Sequence, residues 1–178
     1  MAVKTFTSGE VLTAADTNTY LANSGWVYFS TYTLGAAAAN FTISGLSTDY
    51  ADYMFVFSFS QNGGNMQISV GNTANGHYGT QYYDLYTGAT TGANRSNNAA
   101  NFKVGVGGSI NALSRVELYG VTTATETKMV SQYFGNGYSG WSAGAHSTAT
   151  SYTSIFVTAD AGGNFTAGTV KIYGLRKA

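Results

Sequence analysis

At 178 residues the chain fits one domain and a short appendage; 44% of it is apolar but only 9% is charged, and eight basic side chains cancel eight acidic ones. A neutral chain without a basic patch argues against nucleic acid, whose affinity rests on Lys and Arg against phosphates. No cysteine is present for disulfides or thiolate metal sites, and no run long enough for membrane insertion or apolar N-terminal export signal is seen.

Residues 1–24 read as an N-terminal arm for attachment and oligomerisation. Thr13 is a good N-cap for a short helix over 14–23, Asp16 stands three residues on, and Gly25 is a natural stop. A helix of about ten residues is marginal alone in water, so a partner surface is expected to hold it. The apolar contacts available to the arm are Val3, Phe6, Val11, Leu12, Tyr20 and Leu21.

From 25 to 178 the pattern is β throughout: short runs of Val, Ile, Phe, Tyr and Thr between Gly, Asn and Ser turns. Strands are expected over 26–33, 41–44, 53–60, 66–70, 81–86, 101–106, 115–121, 128–134, 153–158 and 169–175. Tyr53, Phe55, Phe57 and Phe59 fall on one face of the third. Met66, Ile68 and Val70 alternate with Gln67 and Ser69, as on a strand with one wet face. About ten such strands without a helical period imply an all-β, antiparallel β-sandwich of jelly-roll type. The Asn-, Gly- and Tyr-rich stretches 71–100 and 135–151 read as long loops. Loops of that length usually serve a function, though insertion on a tolerant sandwich is the competing explanation.

No constellation rises to catalysis. Gly135, Gly137 and Gly140 satisfy the dinucleotide fingerprint, with Asp160 downstream, yet no helical period follows, and a Gly-rich strand connection explains them better. Ser139 lacks the second glycine of a nucleophile elbow, because Trp141 stands there. His77 and His146, the only histidines, have no ligand spacing with Asp84 or any other carboxylate. Asp49 and Asp52 suit a turn better than a pair of acids across a cleft. No enzyme activity, cofactor or metal is therefore expected. Tyr78, Tyr82, Tyr83 and Tyr86, with His77 and with Trp141 of the other long loop, form a candidate binding surface for sugars or for another subunit. A plain strand or core role for at least half of them explains these aromatics better.

Residues 4–21, with Phe6, Gly9, Val11, Leu12, Ala15, Asp16 and Asn18 in place, resemble an N-terminal segment recurrent among tailed-bacteriophage structural proteins. Residues 165–175 and 41–46, the latter leading into Tyr50 and Tyr53, are similar to strands of phage β-sandwich domains. The resemblance implies a virion protein attached by its N-terminal arm, commonly a homotrimer, whose partners are itself and the major capsid or other virion proteins. A single domain after the arm favours a capsid decoration (cement) or head-fibre protein. The alternative is a tail-fibre or tail-tip module binding a host receptor or surface glycan. The near absence of charge fits wide contacts with other subunits, since net charge near zero promotes association.

Overall fold

Twelve strands run through the residues described by the computed structural model: 7–11, 13, 25–71, 100–105, 112–135 and 137–177, with 77–86 and 89–96 described for the backbone. In chain order they are β1 (Trp26–Thr33), β2 (Asn40–Ser44), β3 (Tyr50–Gln61), β4 (Met66–Val70), β5 (His77–Tyr86) and β6 (Ala89–Ser96). There follow β7 (Phe102–Lys103), β8 (Ala112–Tyr119), β9 (Thr127–Gly135), β10 (Tyr138–His146), β11 (Ser154–Ala159) and β12 (Phe165–Arg176). The helix expected over 14–23 lies outside the described residues, as do Val3, Phe6, Leu12, Tyr20 and Leu21.

All ladders are antiparallel, in two sheets: eight strands in the order β1-β12-β3-β8-β9-β10-β5-β6, and four in the order β2-β11-β4-β7. The chain changes sheet at every connection except β5–β6, β8–β9 and β9–β10. Both sheets feed one buried cluster, so the fold is all-β and sandwich-like.

Side-chain alternation builds that core. Tyr53, Phe55, Phe57 and Phe59 turn inward from β3 as a ladder of rings with centroids 6.0 to 6.2 Å apart. Opposite them stand Phe41 and Ile43 of β2, Met66, Ile68 and Val70 of β4, and Ile155 and Val157 of β11, all buried. Phe41 joins the sheets, with its ring 5.3 Å from Phe59, 5.2 Å from Phe165 and stacked at 4.9 Å on Tyr32. Fully burying one such side chain is worth roughly 1.5–3 kcal/mol.

Two bulges let residues of opposite parity share this core. The β1–β12 register shifts between Tyr28 and Ser30, so Phe29 and Tyr32 both pack inward. A second shift, between Phe165 and Ala167, does the same for Phe165 and Val170 of β12. Asp160 closes the end of the sandwich near these residues. It accepts hydrogen bonds from the Asn65 and Gln67 side-chain amides at 3.1 and 2.9 Å, tying the β11–β12 turn to the β3–β4 turn. There Gly163 lies so close to the Gly63 carbonyl that a Cβ would stand 1.9 Å from its oxygen.

The two stretches read as long loops are instead largely strands. β5 and β6 occupy most of 71–100, and β10 occupies much of 135–151. Their small and polar residues have weak strand preference, but β10 is paired along both edges, with β9 and with β5, and that context overrides propensity. His77, Tyr78 and Trp141 are accordingly strand residues, not loop residues, while Tyr82, Tyr83 and Tyr86 lie on the strand expected over 81–86, which begins earlier, at His77. The glycines of the dinucleotide fingerprint straddle the β9–β10 hairpin and lead into a strand, where a helix would be needed.

Candidate functional site

The outer face of the large sheet collects the exposed apolar side chains. With Val116, Leu118, Met129 and Tyr133 turned to the core, alternation puts Leu113, Arg115, Glu117 and Tyr119 of β8 outside. The same rule exposes Lys128, Val130, Gln132 and Phe134 of β9. Among the described residues, every large hydrophobic left exposed lies on a strand of this sheet, apart from Val11 in the arm.

Register then builds a groove across the three middle strands. Arg115 pairs with Gln132, and Gln132 with Trp141. One step along, Glu117 pairs with Val130, and Val130 with Ala143. These residues line an open depression of about 440 Å³. Trp141 is 48% exposed there, an indole presented from a rigid strand.

The polar groups of the groove are held in place. Arg115 pairs with Glu117 Oε1 at 2.5 Å. The other carboxylate oxygen accepts a short hydrogen bond from the Tyr119 hydroxyl. That bond, helped by burial, pushes the Tyr119 phenol up to about 12, so it stays a donor under ordinary conditions. The groove therefore carries a paired cation and anion, an amide, and an aromatic plane, with no surplus charge.

The structure brings some expected residues together and separates others. Opposite β10, the Cα partners are Tyr83 for Trp141, Tyr82 for Ser142, Tyr86 for Tyr138 and Tyr78 for Ala145, so residues from the two supposed loops lie on adjacent strands. His77 pairs with His146, which is fully buried with its ring edge-on to Tyr152 at 5.4 Å. Ser139 lies on the opposite face of β10 from His146. No group of three or more potential ligand side chains gathers among the described residues. Asp52 accepts from the Gly120 amide at 2.8 Å, and Asp49 sits in the turn before β3; they do not face each other across a cleft.

Arg115, Glu117, Val130 and Gln132 were missed as site residues. The signal that could have found them is the dipeptide Asn136–Gly137, a strong hairpin marker, which lies between the paired Gly135 and Tyr138. Recognising that hairpin lays β10 against β9 and carries Trp141 to Gln132.

In the arm, Thr7 to Glu10 form a turn. The Glu10 amide donates to the Thr7 carbonyl at 3.0 Å, Gly9 takes φ +89°, and Glu10 Oε2 accepts from the Thr7 amide at 3.1 Å. Only glycine adopts that φ without strain. Val11 follows, 78% exposed.

Comparison with protein-family models, with curated proteins and with solved structures finds no match.

Proposed function

We propose that the chain is a bacteriophage virion structural protein, a capsid decoration (cement) or head-fibre protein, held to the particle by residues 1–24 and assembled as a homotrimer. The observation that carries this reading is the exposed Val11 directly after the Thr7–Glu10 turn. The turn satisfies its own backbone, while the apolar side chain beside it faces solvent, as a docking element requires. Several such contacts in each copy of an oligomer add through multivalency and slow release.

The strand order supports a jelly roll as the body. Set the β5–β6 and β9–β10 hairpins aside, and β1-β12-β3-β8 faces β2-β11-β4-β7, with every step of the chain crossing between sheets except that from β4 to β7. That order matches the double Greek-key arrangement used by viral capsid and lectin domains. Tyr28, Leu113 and Phe134, exposed on the outer face beyond the groove, supply surface for contacts between copies.

A chain starting at Gly25 tests the attachment. It is expected to keep the β spectrum of the whole protein but to lose binding to purified particles. Full-strength binding by the truncated chain overturns attachment through the arm. A second reading, a tail-fibre or tail-tip module for a receptor or glycan, is favoured by one observation, the Trp141 groove.

A further inference from the structure

The groove has a chemistry that assembly does not demand. We infer that it binds a neutral saccharide, with one sugar ring lying on the Trp141 indole and hydroxyls held by Gln132, Arg115 and Glu117. This deepens the second reading by naming its site and ligand class, and it rests neither on the arm nor on oligomerisation.

A sugar ring has an apolar face of C–H groups and a rim of hydroxyls. The groove presents the complement: an exposed indole with Val130 beside it, and next to them an amide, a guanidinium and a carboxylate. Its volume of about 440 Å³ lies within the roughly 300–1,000 Å³ usual for small-ligand sites. Glu117 is fixed from both oxygens, by Arg115 and by Tyr119, so its geometry exists before the ligand arrives and little ordering is lost on binding.

Other occupants fit less well. An anionic ligand would have to compete for Arg115 with Glu117, 2.5 Å away. Nucleic acid needs an excess of cations, and the lining has one of each sign. A purely apolar partner would strip water from Arg115, Glu117 and Gln132 without replacing its hydrogen bonds. A peptide added as an extra strand has no opening, because β8, β9 and β10 are each flanked by a strand on both sides.

The test uses the full chain on a microarray of defined neutral, sialylated and sulfated oligosaccharides. Hits are then titrated by fluorescence in a Trp26→Phe background, which leaves Trp141 as the sole tryptophan. Neutral oligosaccharides are expected to bind, to perturb Trp141 emission, and to hold their affinity as salt rises. Trp141→Ala is expected to weaken binding at least about tenfold. Gln132→Ala, a smaller change at an exposed position, should weaken it severalfold with the β spectrum unchanged. No binding by any neutral oligosaccharide, binding confined to the charged ones, or unchanged affinity in both variants overturns the inference. Trp141→Ala should still bind particles, so the loss of this site and the loss of virion attachment are read separately.

Discussion

The two halves of the large sheet close their inner faces by different physics. Along β1, β12 and β3 the face is almost wholly apolar: Phe29, Tyr32, Phe165, Val170, Ile172 and the ring ladder from Tyr53 to Phe59. Along β8, β9 and β10 it also holds Ser114, Thr127, Ser131, Ser142 and His146, all buried. Ser114 donates to the Val104 carbonyl and Ser142 to the Lys103 carbonyl, each at 2.5 Å, and Ser131 and Ser142 share a hydrogen bond of 2.7 Å. Small hydroxyl side chains let the short β7 segment come close enough to be held by direction, whereas the aromatic half is held by area. Burial of rings tolerates small rotations; a hydrogen bond with a buried carbonyl does not.

Removing area should therefore cost more than removing a directed bond. Phe57→Ala, at the centre of the ladder, is expected to lose about 3–5 kcal/mol, measured as a lower urea midpoint. A loss below 1 kcal/mol would mean that the ladder collapses around the gap and that area is not what holds this half. Ser142→Ala should cost about 1–3 kcal/mol, since it withdraws a buried donor from the Lys103 carbonyl. Combined with Ser131→Ala, its effect should be less than additive, because both remove the same Ser131–Ser142 bond. Additive losses would show that the two serines act separately.

The smallest effect lies at a polar handle of the aromatic half. Tyr53 donates its hydroxyl to the Ser47 carbonyl at 2.9 Å, and burial pushes its phenol up to about 12. In the unfolded chain the phenol ionises near its ordinary value of about 10. The stability this contributes is complete below that value and is lost as pH climbs from 10 towards 12. Tyr53→Phe is expected to cost about 1 kcal/mol at neutral pH and to flatten the alkaline limb of the stability curve. Part of the slope remains, because the Tyr119 phenol is raised in the same direction.

Legibility in the sequence follows the same division. The aromatic half could be read directly, since Tyr53, Phe55, Phe57 and Phe59 announce a strand by period two, and β1 and β4 fall on the expected residues. β10 could not be read that way: Ser142, Ala143, Gly144 and Ala145 carry little hydrophobic signal, and their strand is made by neighbours distant in sequence. Trp141 stands out in the sequence as an aromatic in a Gly- and Ser-rich stretch, but its companions do not. Arg115 and Glu117 look like ordinary polar positions of an alternating strand until the β8–β9–β10 register sets them beside it.

The bulge at Phe29 reaches beyond the core it serves. β1 is the outermost strand on its side of the large sheet, and a straight outermost strand is a template on which further chains can add without limit. Like charges usually discourage such growth, and this chain, with eight of each sign, has little repulsion to offer. A strand that bends and twists at its middle cannot carry a ladder in step along its free side. Shape thus opposes open-ended polymerisation along β1 where charge would not, and the device is one extra residue.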